Sequence, residues 1–206
     1  MILLFLFFGY AIFSFANTWP QGMGQYALLR KEGSGMKKVV MVIAHKDFRD
    51  EELLQPKEVL EKNGIEVKIA STELSEAHGK LGAVVKPDIL FKDINLADFD
   101  AIVFIGGPGS VRYWDDPLAH KLLRDAVSSG KVAAGICSAA ATLAKSGILR
   151  GKKATVFPGD SKELIDNGAI YTAAPVERVG NIITAAGPQA ARDFGEEIVR
   201  VLIGGN

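Results

Sequence analysis

The chain has 206 residues, 48% hydrophobic and 23% charged, with 24 Lys and Arg against 24 Asp and Glu. That is globular composition with enough apolar surface for one well-formed core, and a zero net charge leaves no cationic surplus for a nucleic-acid backbone. A single cysteine excludes an internal disulfide and any multi-cysteine zinc site, and the three histidines (His45, His78, His120) lack metal-ligand spacing.

The chain opens on MILLFLFFGYAIFSFA, 16 uncharged residues. A membrane span needs about 20. The segment reads either as a secretory signal with a small-x-small site at Ser14-Phe15-Ala16, though without a basic n-region, or as a mis-called extension. Met36-Lys37-Lys38, leading directly into an apolar run, has the form of a true start, so residues 1–35 are expected to lie outside a single domain over 36–206. A cytoplasmic location follows from that start, and export from a genuine signal over 1–16.

From Lys37 onward, apolar runs alternate with amphipathic segments. KVVMVIA (38–44) reads as a strand covered on both faces. DEELLQPKEVLEKNG (50–64) reads as a helix, with Leu53, Leu54, Val59 and Leu60 on its inner side and Asn63-Gly64 as its stop. EVKIAS (66–71) is a second strand, and 81–94 predicts short edge strands or a hairpin. FDAIVFIGGPGS (99–110) runs from a buried strand into a glycine-rich turn. Residues 116–131 form a helix capped by Asp116. VAAGI (132–136) is a strand followed by a helix to Gly147, KKATVF (152–157) precedes a short helix at 161–167, strands lie near 169–174 and 181–186, and 187–203 is the last helix. Strands alternating with helices imply βαβ units, and therefore an α/β layered sandwich around a mostly parallel sheet.

In such a sheet, functional groups gather beyond the carboxyl ends of the strands. Four features fall there: His45 with the loop 46–52, the turn Gly106-Gly107-Pro108-Gly109, the lone Cys137, and Phe157-Pro158-Gly159. Gly135-Ile136-Cys137-Ser138-Ala139 has the G-x-nucleophile-x-small form of a nucleophile elbow, whose small flanking residues let the chain turn sharply and lift the reactive atom off the sheet. A free cysteine is more often a small buried hydrophobe; the elbow reverses that expectation. Helix N–H groups beside the sulfur are expected to lower its pKa. The glycine-rich turn lacks a dinucleotide or phosphate-loop signature. It reads as a tight turn or as half of an oxyanion hole, made by the backbone N–H groups of Gly107 and Ser138. Glu51 and Glu52 either complement the dipole of their helix or place a carboxyl beside Cys137.

Together these residues resemble the ThiJ/PfpI superfamily, of class I glutamine amidotransferase-like fold, over nearly all of 37–203. FRDEELLQP matches the acid segment F-x-D-x-E-L-x-x-P, and FIGGPGS matches the glycine turn. AAGICSAAATLAKSGILRGKKAT matches the elbow with its helix and Gly-Lys-Lys segment, and GNIITAAGPQAARDFGEEIV the last strand, Gly-Pro turn and helix. The resemblance implies a flavodoxin-like sandwich, assembly as a homodimer or larger oligomer, and no metal or organic cofactor. It also implies Cys137 as nucleophile and, on this register, Glu52 rather than Glu51 as the acid. The activities it implies are glyoxalase III-type conversion of 2-oxoaldehydes, deglycation of proteins or peptides, intracellular cysteine peptidase action, or work as an oxidative-stress sensor or chaperone. Two departures remove the histidine from both of the family's base positions, which weighs most against the peptidase because aldehyde chemistry asks less of a base. Ser138 stands where peptidase-like members carry His, and Val156-Phe157-Pro158 stands where the deglycase-like branch carries Thr-His-Pro. His45 is then the one imidazole expected near the crevice as a proton carrier, with His78 and His120 expected in solvent.

Overall fold

A computed structural model of the chain describes residues 35–204. The extension expected over residues 1–35 thus falls, Gly35 apart, outside the described residues. The strands are β1 (Lys38–Val42), β2 (Lys46–Phe48), β3 (Glu66–Ser71), β4 (Ala77–Gly79), β5 (Val84–Val85), β6 (Ile89–Leu90), β7 (Ala101–Phe104), β8 (Val132–Ile136), β9 (Lys153–Ala154), β10 (Ile170–Tyr171), β11 (Val176–Val179) and β12 (Ile182–Ala185). The helices are α1 (Asp50–Lys62), α2 (Pro117–Ser128), α3 (Ala140–Lys145), α4 (Ser161–Asp166) and α5 (Ala191–Ile203).

Seven strands form the central sheet in the order β11-β12-β8-β7-β1-β3-β6. All its neighbours run parallel except β11 and β12. Successive side chains of a strand point to opposite faces, and both faces of this sheet are covered, which is why its middle strands are apolar without alternation. Val40, Val42, Ile102 and Phe104 meet Leu122 and Leu123 of α2, Leu143 of α3 and Leu164 of α4 in one core. Val39, Met41, Val103 and Ala134 meet Leu53 and Leu60 of α1 and Phe194 and Ile198 of α5 in the other. This is the layered α/β architecture expected from the βαβ rhythm. Among the described residues, no helix is long and apolar enough to cross a membrane.

Most elements match their sequence signals. Asp116 caps α2 as predicted, its carboxylate accepting from Leu118 N–H at 2.8 Å and Ala119 N–H at 3.0 Å. The weak segment 81–94 resolves into β5, antiparallel to β4, and β6, at the sheet edge beside β3. Four details differ. Leu54 faces outward at 46% exposure, because Leu53 and Leu60 already fill the inner side of α1. The strand near 169–174 shrinks to β10, which pairs with β9 in a small separate sheet. Val176–Val179, given no element from the sequence, is the antiparallel strand β11, folded onto β12 through Gly180 at φ 63°. His120 is half-buried rather than solvated, its Nε2–H donating to the Trp114 carbonyl at 2.7 Å.

Candidate active site

β1 has β3 on one side and β7 on the other, so the strand order reverses there, and β8 follows β7. Loops leaving the carboxyl ends of β1, β7 and β8 therefore emerge side by side at the switch point, where an α/β sheet opens a crevice. A cavity of about 780 Å³ occupies it, lined among others by Arg49, Glu52, Gly107, Cys137, Ser138 and Phe157. That volume is in the range of ordinary small-molecule sites.

The elbow is sharp in the way its small residues allow. Gly135 has no room for a side chain, since a Cβ there would stand 2.8 Å from Leu143 Cδ1 of α3. Cys137 itself sits at φ 56°, a left-handed conformation that a non-glycine residue adopts at a cost of about 1–3 kcal/mol. The chain thus turns from β8 into a single 3₁₀ turn, Cys137–Ala139, before α3 begins. The thiol ends up 8% exposed. The backbone N–H groups of Ser138 and Gly107 both face its sulfur, and the Ser138 hydroxyl lies 4.0 Å from it.

The glycine turn after β7 brings the acid to the thiol. A Cβ on Gly107 would stand 2.5 Å from both Arg49 N and Asp47 O, and one on Gly109 2.0 Å from Lys46 O. Only bare backbone lets the loop after β1 nest so closely, and Arg49 N–H donates to Gly106 O at 2.9 Å across that contact. The loop then enters α1 with Glu52 fully buried. A Cβ on Gly106 would lie 2.5 Å from Glu52 Oε2 and 2.7 Å from Cys137 Cβ. Carboxyl and cysteine therefore flank one point that glycine leaves empty. Among the described residues, neither oxygen of Glu52 meets a donor in full hydrogen-bonding geometry.

Burial dominates the electrostatics. Loss of water pushes the Glu52 carboxyl up to about 7, with the nearby thiol, the Arg49 guanidinium and Gly106 N–H pulling it partly back. The Cys137 thiol is pushed up to about 12, first by burial and then by the Glu52 charge; the Ser138 and Gly107 amides work the other way and are outweighed. The depressed thiol expected from helix dipoles is thus corrected. α3 has only six residues, and burial beside a carboxylate is the larger effect. The two groups titrate as a pair in which a double anion is disfavoured.

Glu51, the other candidate acid, turns instead to Arg49, whose Nε–H and Nη2–H donate to its carboxylate at 2.8 and 3.1 Å. His45 is not among the residues lining the cavity. Its Nε2 lies 3.4 Å from Ser75 Oγ and 3.6 Å from Glu73 Oε2, because the chain leaves β1 into β2 and carries the ring toward the loop after β3. Phe157 stands on the cavity wall, 46% exposed, at the turn where the resemblance expects an imidazole. Two residues have local roles unseen in the sequence. Arg49 supplies the cation beside the acid, and buried Asp50 ties down the β4–β5 turn by accepting from Leu81 N–H at 2.8 Å and Ala83 N–H at 2.7 Å. The role of Asp50 depends on a loop more than 30 residues away, whereas Arg49 acts on acids two and three positions along the chain; the local signal for both was the polar cluster at the start of α1.

A family model described as the DJ-1/PfpI family matches residues 37–201. An uncharacterised protein of Methanocaldococcus jannaschii is 42% identical over 84% of this chain and 86% of its own. A protein of Pyrococcus horikoshii named a deglycase is 34% identical over 79% of this chain and 98% of its own. One of Caenorhabditis elegans named a glutathione-independent glyoxalase is 27% identical over 83% and 91%. The crystal structure of a ThiJ/PfpI domain protein from Brachyspira murdochii superimposes with a TM-score of 0.80 at 32% identity, covering 84% of this chain and all of that one.

Proposed function

The chain belongs to the DJ-1/PfpI family, and from that membership and the cavity's geometry we propose that it is a cysteine-dependent enzyme of the glyoxalase or deglycase type, acting on 2-oxoaldehydes or their adducts. The observation that carries this reading is the meeting of Cys137 and the Glu52 carboxyl across the bare Cα of Gly106, in a cavity open to a small molecule.

The chemistry rests on the protonation states. A thiol held up near 12 is a poor nucleophile until its proton leaves, and a buried carboxyl near 7 is poised to take it. As the sulfur adds to the aldehyde carbon, Glu52 accepts the thiol proton. The N–H groups of Gly107 and Ser138 hold the developing oxyanion, which Glu52 then protonates to a hemithioacetal. Glu52 next removes the hydrogen on the former aldehyde carbon and returns it to the neighbouring carbon. With the hydroxyl proton passing to the neighbouring oxygen, this internal redox step yields a 2-hydroxy thioester, and water releases it as a 2-hydroxy acid. For methylglyoxal the sum is one aldehyde plus one water giving lactate, with no external oxidant or reductant. On a hemiaminal adduct, the sulfur replaces the amine or guanidine on the carbonyl-derived carbon, and Glu52 passes the thiol proton to the departing nitrogen.

Peptidase action ranks below this, since a resonance-stabilised amide asks more of acid–base catalysis than an aldehyde or hemiaminal, and no histidine is among the cavity-lining residues to supply it. An oxidation sensor ranks lower as well, because a buried thiol without a standing thiolate reacts slowly with peroxide. The proposal includes an assembly of two or more copies, residues 36–206 as the functional domain, and the cytoplasm as its place of action. The test is lactate formation from methylglyoxal by the purified protein. Wild type should turn over and Cys137→Ala should fall to background; equal rates would overturn the proposal.

A further inference from the structure

Glu52 supplies the proton relay, but something must also hold the strained elbow in register with the glycine turn. The segment leaving that turn does so. Gly107 begins the 3₁₀ stretch Pro108–Tyr113, with Ser110 donating to the Gly107 carbonyl from both its N–H, at 3.0 Å, and its hydroxyl, at 2.8 Å. The stretch ends at Trp114, whose N–H donates to Val111 O at 3.0 Å. The indole then crosses to the other loop, and Nε1–H donates to the Ser138 carbonyl at 2.8 Å. One short rigid segment thus starts at one amide donor facing the sulfur and ends bonded to the residue that carries the other.

Trp114 is itself held. Lys145 Nζ lies 5.8 Å from the centre of its ring and is anchored by Asp115 at 3.3 Å and Glu163 at 3.2 Å. His120 Nε2–H donates to its backbone carbonyl. A half-buried indole N–H needs an acceptor. Giving it the Ser138 carbonyl makes a hydrogen bond to the Cys137–Ala139 turn from a distant part of the chain, and an outlier such as Cys137 persists only where its surroundings over-determine it.

We infer that Trp114 is a positioning residue of the catalytic elbow: through its bond to the Ser138 carbonyl it locks the Gly107 and Ser138 amides into a single anion-holding frame around the sulfur. The inference rests on the proposed function for its catalytic meaning, while the frame itself acts on the thiol with or without turnover.

The test is the pH dependence of iodoacetamide alkylation in wild type and Trp114→Phe, read by mass spectrometry on a chain whose single cysteine leaves no ambiguity of site. Losing the indole donor frees the Ser138 carbonyl and loosens the Cys137–Ala139 turn that also carries the Ser138 N–H, so the thiolate is held less well. The midpoint of the alkylation profile should move upward and the rate at fixed pH should fall about fivefold, the size expected for one hydrogen bond. With methylglyoxal, kcat should fall similarly while KM stays within twofold. A purely structural role would lower the melting temperature and leave the midpoint in place, and a folded Trp114→Phe whose profile superimposes on wild type overturns the inference. If that variant fails to fold, Lys145→Met keeps the indole and removes its cation. It should shift the midpoint in the same direction by less, and superposition there is equally fatal. Because alkylation needs no turnover, a wild type inert toward aldehydes would refute the proposed function alone. Turnover lost in Cys137→Ala beside an unmoved Trp114→Phe profile would refute this inference alone.

Discussion

Among the individual side chains, Glu52 makes the sharpest commitment. A fully buried carboxyl raised from 4.5 to about 7 binds its proton more tightly in the folded chain than in the unfolded one. The stability tied to that proton is complete below pH 4.5 and is lost as pH climbs through 7. Chemical denaturation should therefore show unfolding free energy declining from about pH 5 to pH 8 by up to about 3 kcal/mol, and Glu52→Gln should flatten that decline while abolishing turnover. A Glu52→Gln protein with the wild-type slope would place the titrating group elsewhere. How far this site was legible differs from residue to residue. Cys137 could be read from the sequence because an elbow is a local event, made of a buried strand and small neighbours within five positions. The thiol's raised pKa was not legible. It comes from burial and from a carboxyl 85 positions away in the chain, and local dipole reasoning gave the opposite sign. His45 misled for a related reason. Its place at a strand's end was correct, but the direction of its ring was decided by where β2 runs next.

Among the elements, the glycine turn after β7 does more than offer an N–H. Its missing side chains admit the loop after β1, which fixes the start of α1 and hence the acid. Gly107→Ala meets Arg49 N and Asp47 O at 2.5 Å from a backbone at φ 100° and should lose about 3 kcal/mol together with activity. Gly130→Ala, at φ 74° with open space around it, should lose only about 1 kcal/mol and keep turnover. Urea unfolding of the two variants side by side checks the pair; similar losses would mean that backbone strain, not the close approach of the loops, governs the turn. The central strands were readable from continuous apolar runs such as VVMV and VAAGI. β11 was not, because VERV is short, half-buried and polar at its middle, and only pairing with β12 makes it a strand.

For the molecule as a whole, the βαβ alternation was enough to predict the layered sheet, since few topologies bury both faces of so apolar a set of strands. Assembly was not readable from the chain, because an isologous contact uses surface residues with no local signature. Sedimentation velocity of the purified protein should report a dimer or larger species, and a monomer across the accessible concentration range would contradict the assembly proposed above. In the proposed mechanism, one proton moves between Cys137 and Glu52 as the sulfur attacks a carbonyl. Rapid quenching of the protein mixed with methylglyoxal, with mass mapping of the Cys137 peptide, probes that transfer at the reacting atom. Wild type should carry a transient adduct of one methylglyoxal on Cys137. That adduct should persist in Glu52→Gln, where addition is slowed less than the carbon-to-carbon proton transfer after it. Modification confined to lysines and arginines, or a Glu52→Gln protein that forms lactate at the wild-type rate, would rule the mechanism out.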